Sequence, residues 1–271
     1  MTKKYAAVYP PLIERLQGEE SHKKGPDSIK AVKTKLHQLY GAYTQDNAHK
    51  KARTLLDELE KTAQSAVLGS GDESPAGCGA EPHGLNVFSQ KILNLHASTK
   101  ERLAHYAEFY DFILQHTGPV ESVLDIGCGY NPFSIPLIPA TLKAYYAYDI
   151  DTKVADLLNR FFVFMNMPPL AQCADLAVYV PEDVADIALM CKLVPVLEAQ
   201  APGSGYRLAR EVNTKYLLIT YPLKSLGGRE KGMTRHYAAA FEKALTDGEL
   251  GRFMLIGQEQ VGHEMLYLLK G

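Results

Sequence analysis

The chain has 271 residues, 46% hydrophobic and 22% charged, enough for one large core or two smaller ones. Its 29 Lys and Arg stand against 31 Asp and Glu, a formal net charge of −2, which excludes a globally basic nucleic-acid protein but leaves room for a locally basic surface. No apolar run approaches the ~20 residues of a membrane span, and no apolar core with a small-residue cleavage site lies near the start. A soluble, cytoplasmic protein is therefore expected.

Charge is distributed unevenly along the chain. Residues 22–53 carry eight Lys or Arg and only two acids, a local charge of +6, so the rest carries −8. Within this stretch Ile29, Val32, Leu36, Leu39 and Tyr43 recur at helical spacing, and Ser28 stands where an N-cap would. Lys30, Lys33 and His37 fall together on another face, and Lys23, Lys24 and Arg53 add to the basic surface. Such a face is either a solvated helix side or a footprint for phosphates.

Residues 47–67 read as a second helix with Leu55, Leu56 and Leu59 on its apolar side. Residues 68–84 are rich in Gly, Pro and small polar residues and read as a loop. Residues 85–95 and about 98–116 read as helices, the latter capped by Ser98 or Thr99 and ended by Gly118-Pro119. The pattern changes at residue 120. Strands are expected at 120–126, 144–150, 170–173, 185–191 and 215–221, helices at 152–165 and 234–245, and a closing antiparallel pair at 251–258 and 263–269. Strands alternating with helices predict a doubly wound α/β sheet, with an N-terminal helical domain at 1–117 and a sheet domain at 118–271. The cysteines Cys78, Cys128, Cys173 and Cys191 form no C-x-x-C pair, so free buried thiols are expected rather than a metal site or a disulfide framework.

The strongest local signal is Asp125-Ile126-Gly127-Cys128-Gly129-Tyr130-Asn131-Pro132, an apolar strand feeding a glycine turn. Glycines there permit tight turning and close approach of backbone to ligand, and ligands of such sheets sit at the carboxyl ends of the strands. Pro132 replaces the third glycine of a dinucleotide fingerprint, and no G-x-x-x-x-G-K-[ST] is present. Asp149 ends the second strand, 20 residues after Gly129, where a carboxylate can accept both hydroxyls of a ribose. This combination fits S-adenosylmethionine better than NAD.

Three further segments are more specific: Leu95–Leu103 (LHASTKERL), Lys192–Glu198 (KLVPVLE) and Tyr221–Met233 (YPLKSLGGREKGM). With Asp125–Pro132 they resemble the aminoglycoside-resistance 16S ribosomal RNA (guanine-N7)-methyltransferases, from about residue 22 to the end and most closely over 95–240. That family usually has alanine where Gly127 stands, leucine at Tyr130 and Phe133, and Phe-Pro-Thr where this chain has Tyr221-Pro222-Leu223. The resemblance implies a Rossmann-like class I S-adenosylmethionine-dependent methyltransferase sheet. It also implies methyl transfer to N7 of guanine 1405 (ribosomal RNA numbering) in the small ribosomal subunit, with resistance to kanamycin- and gentamicin-type aminoglycosides.

The resemblance also assigns roles. Arg102, Gly127, Gly129, Asp149, Ile150, Asp175 and Leu176 should line the cofactor pocket, with Arg102 on the methionine carboxylate and Asp149 on the ribose. Asp175 would face the adenine amino group, or else cap a helix before Leu176. Lys192 and Glu198 flank the end of the fourth strand, where substrate arrives; Glu198 could instead be an ordinary helix residue. Arg229, Lys231 and Met233 are expected at the RNA, the first two on phosphates and Met233 on the target base. Lys192, Glu198, Arg229 and Met233 thus form the catalytic set, and the basic 22–53 segment becomes a docking surface for the subunit. A monomer with no metal is expected. The competing readings are a methyltransferase for another rRNA base or a small molecule, and an inactive ribosome-binding homologue.

Overall fold

In a computed structural model, residues 5–23, 25–41, 43, 47–70, 82–223 and 233–271 are described here; for 66–70, 82, 83, 233 and 234 the description covers the backbone alone. The N-terminal part is helical: α1 (Pro10–Glu19), α2 (Pro26–Leu36), α3 (Ala48–Ser70), α4 (Pro82–Leu93), α5 (Ala97–Arg102) and α6 (Tyr106–Thr117). The remainder alternates: β1 (Ser122–Ile126), β2 (Ala144–Asp149), α7 (Thr152–Phe164), β3 (Ala171–Cys173), β4 (Val184–Cys191), α8 (Val194–Gln200), α9 (Ser204–Glu211), β5 (Asn213–Pro222), α10 (Met233–Thr246), β6 (Met254–Val261) and β7 (Glu264–Lys270).

The strands form one sheet in the order β3-β2-β1-β4-β5-β7-β6. The first five are mutually parallel, and β7 enters antiparallel between β5 and β6. Alternation along each strand builds two cores. Val123, Tyr145, Ile187, Leu218 and Leu268 face α3, α4, α6 and α7, whereas Leu124, Tyr148, Ala188, Leu217 and Leu269 face α8, α9 and α10. Helices from the N-terminal region therefore share a core with the sheet. A third, smaller cluster joins Tyr5, Val8, Leu12 and Leu16 to Val32, Leu36 and Tyr40, with Ile150 packed against it.

Local chemistry corrects several expectations. Helix α2 begins at Pro26, preceded by Gly25 at φ 48°, so Ser28 lies inside the helix and caps nothing. Ile29 is exposed, and with a π turn at His37–Gly41 Tyr40 is buried in the small core while Leu39 packs half-buried against it. The expected single helix at 98–116 is two, broken by a 3-10 turn at Leu103–His105. His96, not Ser98 or Thr99, precedes α5; the Thr99 hydroxyl is buried and donates to the Leu93 carbonyl at 2.6 Å. Helices α3 and α4 claim both ends of the expected 68–84 loop, and Cys78 lies outside the described residues.

Candidate active site

Parallel pairing of β1 with β2 and of β2 with β3 brings the glycine turn, Asp149 and Asp175 to one edge of the sheet. The turn is tied down by the Gly127 and Cys128 N–H groups, which donate to the Tyr148 carbonyl at 2.8 and 3.0 Å. Gly127 and Gly129 have φ of 71° and 51°, in the left-handed region that disfavours a side chain. A Cβ on Gly129 would lie 3.0 Å from the His96 ring; one on Gly127 would lie 2.8 Å from the tip of Leu193, a side chain free to swing aside.

Asp149 buckles this assembly. Its carboxylate accepts from the Gly129 N–H at 2.8 Å and the Asp151 N–H at 3.0 Å. Burial, and then the neighbouring Asp151 charge, push its pKa up to about 6 from an ordinary 3.8, even with those N–H bonds opposing. Asp151 caps α7 by accepting from the Lys153 and Val154 N–H groups, and it pairs with His49 of α3 at 2.6 Å.

A cleft opens over the turn, between the strand ends and the N-terminal helices. Of the expected pocket residues, Arg102, Gly127, Gly129, Asp149, Ile150, Asp175 and Leu176 all line it, and so does Lys192. Arg102 is 3% exposed; its Nη1 donates to Asn131 at 3.1 Å and its Nη2 to Glu264 at 2.6 Å, over the Phe109 ring. Its Nε is buried without a partner among the described residues. Asp175 bonds Arg15 of α1, and no helix follows it, so the helix-cap alternative fails.

Lys192 has a strained backbone for a non-glycine residue, φ 58°, and sits between two carboxylates, Glu101 at 2.6 Å and Glu264 at 3.3 Å. Glu264 is buried as well. Burial alone would raise its pKa, but the charges of Arg102 and Lys192 outweigh that and hold it below the usual carboxylate value. The result is a four-member charge network along one wall, Arg102, Glu264, Lys192 and Glu101.

Glu198 is a correction. Its carboxylate does not line the cleft; it accepts from the Gly203, Gly205 and Tyr206 N–H groups at 2.7, 2.9 and 3.4 Å, capping the start of α9. Lys24, Arg229 and Lys231 lie outside the described residues, as does the side chain of Met233, whose backbone opens α10. Lys23 pairs with Glu20 at 2.6 Å; Lys30, Lys33 and Arg53 are exposed. Lys30, Lys33 and His37 do share one open surface.

Sequence reading missed His96, Glu264, Glu101, Asn131 and Tyr43. His96 lines the cleft between the rings of Tyr43 and Tyr130, and burial drops its pKa to about 4, so the imidazole is neutral. Its Nδ1 is buried without a partner among the described residues. The one available signal was its place in the LHASTKERL segment. Glu264 offered only a charge at the head of an apolar strand.

This site can hold a ligand with hydroxyls for Asp149, an anion for Arg102 and an amino group for Asp175. Residues 1–250 match the family described as Ribosomal RNA methyltransferase (FmrO). A 16S rRNA (guanine(1405)-N(7))-methyltransferase of Serratia marcescens is 33% identical over 99% of this chain and 94% of its own length. Among solved structures, the 16S rRNA methyltransferase RmtF in complex with S-adenosyl-L-homocysteine superposes with a TM-score of 0.80 at 31% identity, covering 99% of this chain and 94% of that one. The 16S rRNA methylase RmtB does so at 0.76 and 28%, covering 99% and 93%.

Proposed function

Since the chain belongs to the ribosomal RNA methyltransferase (FmrO) family, we propose that it transfers the methyl group of S-adenosylmethionine to N7 of guanine 1405 of 16S ribosomal RNA. The observation that carries this reading is the convergence of Arg102, Gly127, Gly129, Asp149 and Asp175 on one cleft. Those residues fit the cofactor's parts: Asp149 takes the ribose hydroxyls, Asp175 the adenine amino group, and the unpartnered Nε of Arg102 the methionine carboxylate.

S-adenosylmethionine, when bound, supplies a methyl group on a sulfonium. Guanine N7 offers a lone pair and carries no proton, so no general base is needed. The bond from N7 to the methyl carbon forms as the sulfur–carbon bond breaks, and the positive charge passes from sulfur to the guanine. The protein's work is therefore positioning and electrostatics. The Arg102–Glu264–Lys192–Glu101 network holds the wall rigid. Lys192, directly after β4, lines the cleft with its ammonium between Glu101 and Glu264 and is the residue we assign to orient the incoming nucleotide. Roles for Arg229, Lys231 and Met233 rest on the family resemblance.

The substrate in this reading is the assembled small subunit, and the exposed Lys30, Lys33 and Arg53, none of which lines the cleft, offer cations for its phosphates. Residues 1–117 then serve docking and complete the cleft through residues such as His96 and Arg102, and 118–271 carry the transfer sheet. The reading includes a monomer acting in the cytoplasm, where its ribosomal substrate is. The consequence is resistance to kanamycin- and gentamicin-type aminoglycosides, because the added methyl and charge obstruct the drug site.

The test is to incubate purified small subunits with the protein and radiolabelled S-adenosylmethionine, cleave the RNA chemically at 7-methylguanosine, and map the break by primer extension. A single break at guanine 1405 is expected. Label without that break would move the target to another atom or base, and no label would overturn the reading.

A further inference from the structure

The N-terminal segment brings a charge to the cleft wall. Arg15, on α1, donates from Nε to one Asp175 oxygen at 2.6 Å and from Nη2 to the other at 3.1 Å. The Asp175 side chain is 6% exposed, and Arg15 is its ion-pair partner among the described residues. A carboxylate buried that far needs a cation or takes a proton. The backbone around Arg15 is seated on the strand ends of the same site. The Tyr9 N–H donates to the Ile150 carbonyl at 2.7 Å, the Thr152 N–H to the Ala7 carbonyl at 2.8 Å, and Leu12 lines the cleft.

We propose that Arg15 is a positioning residue for the cofactor: from the N-terminal helix it holds the Asp175 carboxylate in place through two hydrogen bonds, and so links cofactor binding to the seating of residues 5–19 on the sheet. The inference rests on the cofactor reading given above. Lone-pair bookkeeping supports it. A carboxylate has about four acceptor positions. Arg15 takes one on each oxygen, and the Ala177 N–H takes a second on Oδ1 at 3.3 Å. One position remains on Oδ2, the complement of a single N–H of an adenine amino group.

The same guanidinium continues a chain of alternating charge. Its Nη1 donates to Glu19, whose other oxygen accepts from Lys35 of α2 at 2.8 Å; Lys35 also meets Glu20 at 2.8 Å. Helix α2 carries Lys30 and Lys33 on an open surface that His37, the next residue after the helix, shares. A ligand that favours the seated N-terminal segment is favoured by it in return.

Arg15→Gln, Arg15→Lys and Glu19→Gln in the full chain test this. Calorimetry with S-adenosylhomocysteine should show about tenfold weaker binding for R15Q, about threefold for R15K, and wild-type affinity for E19Q, which keeps the Asp175 pair. With small subunits, R15Q should raise KM for S-adenosylmethionine while kcat at saturation is kept. S-adenosylhomocysteine should slow amide exchange over residues 5–19 in the wild type and not in R15Q. Wild-type affinity in R15Q, or equal losses in R15Q and E19Q, would overturn the inference. If R15Q does not fold, R15K decides it: unchanged affinity there overturns it. A wild-type protein that binds no S-adenosylhomocysteine overturns the cofactor reading, and the inference with it.

Discussion

Asp149 shows how one side chain can serve two masters. In the free protein its carboxylate closes the glycine turn, and burial raises its pKa to about 6. The folded protein thus keeps this proton at pH values where the unfolded chain has lost it. The group's contribution to stability is fully present below the ordinary value of 3.8 and declines as pH rises toward 6. Cofactor hydroxyls prefer the ionised form, so the dependence of binding has the opposite sign. Calorimetry should show affinity for S-adenosylhomocysteine falling by about tenfold from pH 7 to pH 5. In Asp149→Asn, binding should be weaker at pH 7 and flat over that range; a flat wild-type profile would assign the ribose contact elsewhere. Glu198 makes the contrasting case. As a cap on three N–H groups it should cost about 1 kcal/mol of stability when changed to Ala, measured by urea unfolding, with cofactor affinity unchanged.

Among the elements, the glycine turn and the π turn both shape the cleft. Gly129 combines a left-handed backbone with a Cβ position 3.0 Å from His96, whose ring is held between Tyr43 and Tyr130 and cannot retreat freely. Gly129→Ala should lower stability by about 1–2 kcal/mol and weaken cofactor binding, read by thermal melting and calorimetry together. Gly203→Ala, also at positive φ but facing open space, should cost stability and leave binding alone. The π turn at His37–Gly41 is the subtler device. By taking one extra residue it brings Leu39, Tyr40 and Tyr43 to the cleft. A 3.6-residue repeat read along the chain could not foresee it, because nothing in local propensity marks where a turn widens.

At the scale of the whole molecule, the N-terminal helices carry a basic surface and also close one part of the cleft over the strand ends. Among the described residues no helix is long and apolar enough to cross a membrane. The double charge reversal Lys30→Glu with Lys33→Glu should weaken binding to small subunits and lower the slope of log affinity against log salt by about 2. Cofactor affinity should be unchanged, since both residues are exposed and neither lines the cleft. Equal loss of both affinities would make α2 a structural element only.

What the sequence by itself determined was the local and periodic part of this protein. The strand positions were legible because alternating or continuous apolar runs report which face is buried, and each of β1 to β7 falls within a residue or three of its expected bounds. The glycine turn and Asp149 were legible because order and spacing along the chain encode them. Specific segments such as LHASTKERL carried the family. What only the tertiary structure decided were the charge pairings across long separations: Arg102 with Glu264, 162 residues apart, Arg15 with Asp175, 160 apart, and Lys192 with Glu101, 91 apart. It also moved Glu198 from the site to a helix cap. The reason is physical. A buried charge is stable only beside its counter-charge, and which two charges meet depends on how the sheet is ordered and which helix lies over it, information that no window of the chain contains.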